Sequence, residues 1–242
     1  MTGNIEGKWE PLGPHAKVFV TREHRFNTDT ILLANFSSPR RKDTCADFGT
    51  GCGTIPLLWH SRFSPAEIYA VELQEQAAYQ AELSFLECHA DIKLIKDDIR
   101  NYRRIFQSGS LDLIACNPPY KALGTGIRNE NSDMKIARHE ENLSLEDLAE
   151  AAEYSLRYGG RLCICQRPER LTDALCIFRA HRLEPKRLRL VQARPGREPS
   201  LFLLECRRGG GNGLDVLPTL FLEENGTVSP EMLEIYGDYK TR

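Results

Sequence analysis

From residue 44 onward, short apolar runs alternate with longer segments whose apolar residues recur at helical spacing, and this alternation constrains the fold more than any other feature. A strand, a helix and a second strand return to one sheet in parallel, so repeated alternation specifies an α/β fold with a mostly parallel sheet. The β-like runs fall at Thr44–Phe48, Glu67–Glu72, residues 92–96, Leu111–Cys116, and residues 161–165, 187–191 and 201–206. Seven strands suit one open sheet with helices on both faces.

Helical spacing covers residues 54–60, 74–88 and 170–181. The best-marked helix starts at Ser144. Its hydroxyl can cap the N–H three residues on while Asp147 reaches back, Leu143 can staple to Leu148, and Leu145, Leu148, Ala149, Ala152 and Leu156 form one apolar face. Gly159-Gly160 is expected to stop it. Residues 26–34 read as a short capped helix and residues 1–26 as polar and irregular. The chain is thus expected to be one domain over residues 1–242. Residues 1–43 form an N-terminal extension with a short helix, 44–208 the seven-stranded core and 209–242 a C-terminal tail. The polar stretch 121–143 is longer than an idle connection in a compact domain needs to be.

Composition excludes whole classes. With 41% hydrophobic and 27% charged residues, 18 Gly and 13 Pro, the chain is neither collagen-like nor disordered. Its apolar stretches are far below the roughly 18 residues of a membrane span, and no basic segment followed by an apolar one opens it, so neither export nor a membrane anchor is expected. The eight cysteines are scattered and read as reduced cytoplasmic thiols. Cys163 and Cys165 lie within an apolar run and are too close for a zinc pair, so no metal is expected. Net charge is −2, yet residues 179–208 hold nine Lys or Arg against three acids, enough for a local basic face or for a solvated surface balancing acidic segments elsewhere.

Three signals carry chemistry. Asp47-Phe48-Gly49-Thr50-Gly51-Cys52-Gly53 sits where the first strand turns into a helix, and glycines there let a ligand approach the backbone. The G-x-G-x-G spacing is tighter than a dinucleotide fingerprint, no P-loop Lys-Ser or Lys-Thr follows, and the preceding acid suits an ammonium better than a pyrophosphate. Glu72 ends the second strand, where a carboxylate meets ribose hydroxyls, and Asp98 follows the third, placed to accept from an adenine amine. After the fourth strand comes Asn117-Pro118-Pro119-Tyr120. Two prolines hold an extended backbone with free carbonyls, so the Asn117 oxygen and the Pro118 carbonyl can each accept one hydrogen of a planar –NH2 while Tyr120 stacks on the group bearing it. Acceptors that favour a pyramidal nitrogen expose its lone pair for attack on an electrophile.

On these residues the sequence resembles the class I S-adenosylmethionine-dependent N-methyltransferases with an Asn-Pro-Pro-Tyr motif. More narrowly it is similar to the bacterial tRNA1(Val) (adenine37-N6)-methyltransferase family, through residues 25–34 (Arg25-Phe26-Asn27-Thr28-Asp29-Thr30 and the apolar run after it), the glycine loop, Ala137-Arg138-His139-Glu140 and the Gly159-Gly160-Arg161-Leu162 turn. The resemblance implies a Rossmann-like sheet and an enzyme that methylates N6 of a tRNA adenine, position 37 of the anticodon loop. It implies that Asp47, Gly49, Gly51 and Gly53 bind the methionine part of S-adenosylmethionine, Glu72 the ribose, and Asp98 and Ile99 the adenine, with Leu73 also at the cofactor and Thr28 and Asp29 closing over it. Asn117, Pro118 and Tyr120 would then be catalytic, Asn117 also meeting the cofactor, and Pro119, Arg138 and His139 would meet the substrate. Cys52 in the glycine loop, and the absence of Asn from Ser84-Phe85-Leu86-Glu87-Cys88, depart from the family pattern. Basic side chains of residues 179–208, with Arg128, Lys135, Arg138 and His139, are candidates for holding tRNA, and a single-stranded loop adenine is cheaper to extrude than a paired one.

Other readings stay open at this level. A glutamine side-chain amide presents the same planar –NH2, although the residues before Asp47 do not read as the helical region of release-factor glutamine methyltransferases. N2 of guanine in rRNA is a third acceptor, and a non-catalytic module that binds cofactor and RNA is the reading from another class. An NAD-dependent oxidoreductase fails on the glycine spacing. The oligomeric state is left open.

Overall fold

The computed structural model describes residues 6–14, 16–118 and 143–237. In chain order these form β1 (Lys8–Gly13), β2 (Ala16–Val20), α1 (Thr28–Ser37), β3 (Thr44–Phe48), α2 (Thr54–Arg62), β4 (Glu67–Glu72), α3 (Glu75–Glu87), β5 (Lys93–Lys96), α4 (Tyr102–Ile105) and β6 (Leu111–Cys116). After residue 142 come α5 (Leu145–Ser155), β7 (Leu156–Gln166), α6 (Leu171–Ala180), β8 (Leu183–Gln192), β9 (Pro199–Arg208), β10 (Asp215–Val216), β11 (Leu220–Phe221), β12 (Glu223–Glu224), β13 (Thr227–Val228) and α7 (Pro230–Tyr236). Pro119, Tyr120, Arg138 and His139 lie outside the described residues, as does nearly all of the polar stretch 121–143.

The main sheet runs β10-β8-β9-β7-β6-β3-β4-β5, with β11 also on β8. All pairings are parallel except those of β9, which lies antiparallel between β7 and β8. The chain moves from β3 outward through β4 to β5, then returns to the other side of β3 as β6. This reversal opens a crevice at the carboxyl ends of the strands, where open α/β sheets take ligands.

Alternation along the central strands feeds two cores. Cys45, Leu113, Ala115, Cys163 and Leu203 face α1, α2, α3 and α7, whereas Ala46, Phe48, Ile114, Leu162, Ile164 and Phe202 face α5 and α6. Phe48, Trp59, Phe178 and Phe202 are fully buried, and each is worth about 1.5–3 kcal/mol in transfer from water. The Trp59 indole N–H is satisfied by Ser37 Oγ at 3.0 Å, which ties α2 to α1. The capping box of Ser144 and Asp147 is formed.

Three expectations need correction. The segment before residue 26 is not irregular: β1 and β2 form a hairpin whose Leu12, Val18 and Val20 are buried. Phe19 N–H donates to Ser84 Oγ and Cys88 Sγ donates to Lys17 O, so the α3 residues that depart from the family pattern hold this hairpin. Residues 209–242 are not merely a tail, because β10 and β11 extend the sheet to nine strands and α7 buries Met232, Ile235 and Tyr236. Finally, Gly159-Gly160 does not end the helix, which stops at Ser155. Leu156 pairs with Leu111 and Arg161 with Leu113, so the residues between bulge out of β7, with Gly159 at φ +78°.

Candidate active site

The chain leaves β3 at Phe48 and enters α2 at Thr54 through Gly49, Gly51 and Gly53, at φ +73°, +57° and +87°. These left-handed conformations strain any residue with a Cβ. A Cβ on Gly49 or Gly51 would meet nothing within 4 Å among the described residues, so the loop keeps an open side toward them, whereas one on Gly53 would lie 2.5 Å from the Phe85 ring. Gly53 is therefore a packing residue between α2 and α3, and it does not line the cavity described below. Cys52 is buried, its thiol 3.4 Å from Thr54 Oγ1.

The loop is held from β4. Gly49 and Thr50 N–H donate to Val71 O, and Gly51 N–H donates to Glu72 Oε2 at 2.8 Å, while Glu72 Oε1 accepts from Gln74 N–H at 2.9 Å. Glu72 is buried, and its carboxylate stitches the glycine loop to the turn after β4. At the end of β3, Asp47 is 1% exposed and neither of its oxygens has a hydrogen-bond partner within bonding geometry among the described residues. Burial pushes its carboxyl up to about 7; the nearby Thr50 side chain holds the rise back, and the charge of Glu72 adds to it. An unsatisfied buried carboxyl costs stability, and a cation bound at the loop would offset that cost.

These elements surround a cavity of about 300 Å³ at the carboxyl ends of the strands. Of the residues expected from sequence, Gly49, Gly51, Glu72, Leu73, Asp98, Ile99, Asn117 and Pro118 line it together. Asp47 lies below it, and Thr28 and Asp29 do not line it. His24, Gln74, Ala77, Arg100, Cys116 and Leu143 line it without having been expected; Ala77 lies in the first turn of α3 and the others at turns or element ends, so their neighbours depend on the tertiary fold. Asp98 is also arranged differently from expectation. Its carboxylate caps the turn at Ile99 through Arg100 N–H and pairs with the Arg100 guanidinium, which holds it below the usual carboxylate range. The Arg100 side chain thus competes for the oxygens that were assigned to an adenine amine.

Asn117 follows β6. Its Nδ2 donates to Thr30 Oγ1 at 3.5 Å and its Oδ1 accepts from Cys165 Sγ at 3.1 Å, so the first turn of α1 and the end of β7 both reach it. Thr28 Oγ1 instead lies 3.4 Å from the Tyr236 hydroxyl, joining α1 to α7.

The basic excess in residues 179–208 is largely consumed within the fold. Arg179 pairs with Glu184, Arg182 with Glu153, Arg187 with Glu205 and Arg189 with Glu231, while Lys186 donates to Gly211 O. Arg194 and Arg197 are exposed in the turn between β8 and β9. Cys163 and Cys165 are buried free thiols, and no group of His, Cys, Asp and Glu among the described residues is arranged to hold a metal ion. No helix among them is long and apolar enough to cross a membrane.

A family sequence model described as methyltransferase small domain matches residues 14–175. The chain is 28% identical over 229 residues to a tRNA1(Val) (adenine(37)-N6)-methyltransferase of Porphyromonas gingivalis, covering 90% of this chain and 89% of that protein. A relative of the same name from Aeromonas hydrophila is 31% identical over 189 residues, covering 76% and 77%. Among solved structures, a predicted O-methyltransferase, protein Atu636 from Agrobacterium tumefaciens, superposes with a TM-score of 0.72 at 20% identity, covering 88% of this chain and 97% of that one. The geranyl diphosphate C-methyltransferase of Streptomyces coelicolor A3(2) in complex with S-adenosyl-L-homocysteine gives 0.54 at 16%, covering 73% and 77%. These two likenesses speak for the fold, that of the class I methyltransferases. The sequence model spans more than half of the chain and the Aeromonas relative agrees with it along most of its length, so the protein belongs to the methyltransferase small domain family.

Proposed function

We propose that the protein transfers a methyl group from S-adenosylmethionine to N6 of an adenine in tRNA, position 37 of the anticodon loop of tRNA1(Val). The observation that carries this reading is the convergence of the glycine loop, Glu72 and Asn117-Pro118 on one cavity. Support for the acceptor comes from the relatives in Porphyromonas and Aeromonas, whose names specify that base and of whose lengths the chain spans 89% and 77%.

The residues present fit the cofactor. Among the described residues Asp47 offers a buried carboxyl with no hydrogen-bond partner and Gly49 and Gly51 leave the loop open on one side, and the cavity volume falls at the lower end of the range for small-molecule sites. Asp47, Gly49 and Gly51 would hold the methionine end, Glu72 and Leu73 the ribose and Ile99 the adenine, with Asp98 oriented by Arg100. Bound S-adenosylmethionine supplies an electrophilic methyl on a sulfonium. The protein's own part is alignment: the Asn117 oxygen and the Pro118 carbonyl accept the two amine hydrogens and turn the nitrogen lone pair out of conjugation, with Tyr120 as the stacking platform. A base of shifted pKa is not required before transfer, because the amine proton is lost only once the nitrogen has become cationic. Pro119, Arg138 and His139 are assigned to the substrate side, and Thr28 and Asp29 to the segment that flanks the cofactor.

The test is incubation with S-adenosylmethionine and unmodified bulk tRNA, followed by nucleoside mass spectrometry, with a release-factor protein as parallel substrate. N6-methyladenosine at a single anticodon-loop position is expected. A methylated glutamine with unmodified tRNA would replace the acceptor, and no transfer to either would remove the catalytic reading.

A further inference from the structure

The side chains of Asp29, Asn27, Thr30, Asn117 and Cys165 form a hydrogen-bond chain whose links can be followed from donor to acceptor. Asn27 Nδ2 donates to Asp29 Oδ2 at 3.3 Å, and an ionised carboxylate can only accept. Asn27 Oδ1 therefore faces the other way, and it accepts from both the N–H and the hydroxyl of Thr30 at 3.1 Å. With its proton committed to Asn27, the Thr30 hydroxyl presents only lone pairs to Asn117, whose Nδ2 approaches at 3.5 Å. The opposite end of the Asn117 amide accepts from the Cys165 thiol at 3.1 Å.

The two ends of an asparagine amide are nearly isosteric, so only their neighbours decide which is oxygen. Here the neighbours come from α1 and from β7, and both select the same orientation. We infer that Thr30 and Cys165 are positioning residues that fix the polarity of the Asn117 amide for the acceptor amine, and that the N-cap turn of α1 serves this purpose through Asn27 and Asp29. The inference rests on the proposed transfer reaction, in which the Asn117 oxygen must be an acceptor. A flipped amide would present N–H to N–H and repel the substrate amine. It also gives a role to Cys165, which is fully buried and belongs to no metal group among the described residues.

The test compares Thr30→Val, which keeps the shape, and Cys165→Ala, which removes the thiol, with Thr30→Ser and Cys165→Ser, which keep the hydrogen bond. Each is measured for kcat, for KM of tRNA, and for calorimetric affinity toward S-adenosylhomocysteine. The first pair is expected to lose about tenfold in kcat, the worth of one hydrogen bond of about 1.4 kcal/mol, with cofactor affinity unchanged and the serine variants within about twofold of the parent. An unchanged kcat, or a loss that falls on cofactor affinity, overturns the inference while leaving the transfer reaction standing. A second readout does not need turnover. The side-chain NH2 signals of Asn117, assigned by their loss in Asn117→Ala, should exchange slowly with solvent in the parent and faster in Thr30→Val and Cys165→Ala. Equal exchange in all of them overturns the inference even if the parent methylates nothing.

Discussion

The backbone N–H of Gly51 and Oε2 of Glu72 lie 2.8 Å apart, so a carboxylate at the end of β4 sets the shape of the glycine loop at the end of β3. Because the other oxygen holds Gln74 N–H, Glu72 braces two turns at once. Hydrogen bonds to a charged acceptor are worth about 1.5–3 kcal/mol each. Glu72→Ala is expected to weaken S-adenosylhomocysteine binding by at least about tenfold and to lower Tm by several degrees, read by calorimetry and thermal melting.

Asn117→Ala should divide the functions of the site differently. Methyl transfer is abolished while cofactor affinity stays within about threefold, because the side chain's postulated work is on the acceptor amine. Asp47→Ala should instead weaken cofactor binding. Equal loss of binding in Asn117→Ala, Asp47→Ala and Glu72→Ala would remove this division.

Gly53→Ala is predicted to be a folding defect more than a binding defect. The added methyl meets the Phe85 ring at 2.5 Å and the residue is held at φ +87°, a combination costing about 1–3 kcal/mol. Gly51→Ala carries only the conformational cost of about 1–2 kcal/mol, with open space around its methyl. Urea denaturation should rank Gly53→Ala below Gly51→Ala, and Phe85→Leu should restore part of the loss in the former alone.

The buried carboxyl of Asp47 makes cofactor binding depend on pH. Its folded-state value near 7 lies above the ordinary 3.8, so its ionisation opposes folding increasingly from about pH 4 to pH 7. A bound cation favours the ionised form. Affinity for S-adenosylmethionine should therefore rise as pH climbs from 5 toward 7, with proton release visible as a buffer-dependent enthalpy. Asp47→Asn should bind more weakly and lose both the slope and the proton release.

Arg161 carries the largest structural prediction. At 11% side-chain exposure it meets Asp43 at 3.2 Å and Glu205 at 3.5 Å, and donates to Ser37 O at 2.9 Å, tying the end of α1 to β7. Arg161→Met leaves the buried Asp43 carboxylate without this cation and Glu205 with Arg187 alone, for an expected loss of about 3–5 kcal/mol in chemical denaturation. A loss under about 1 kcal/mol would mean that Arg187, which also pairs with Glu205, compensates.

The central strands were legible in the sequence because buried parallel strands are apolar on both faces and end abruptly; β3, β4 and β6 occupy the expected residues. The hairpin of β1 and β2 was not, since Pro11 and the exposed Lys8 and Trp9 obscure its alternation and its buried face exists only once α2 and α3 are in place. Gly159-Gly160 misled because a glycine pair marks a bulge as readily as a helix stop. At the site, Glu72 and Asn117 could be placed from strand ends alone. The pairing of Asp98 with Arg100 could not, because a side chain two residues away decides whether that carboxylate is available. Thr30 and Asn117 are separated by 87 positions, and nothing local in either segment announces the other.

The antiparallel β9 has a consequence for how the chain assembles. It lies between β7 and β8 but is synthesised after both, so the sheet cannot zip up in the order in which its strands leave the ribosome. A nascent chain that ends at Gln192 has completed β8 with no partner for it, and β7 presents an open edge along residues 161–166 until β9 arrives. Closing that gap joins β9 to β8 as a local hairpin, from Gln192 and Pro199 outward, and to β7 across a longer stretch of chain, and until both ladders form these strands are open to pairing with other chains.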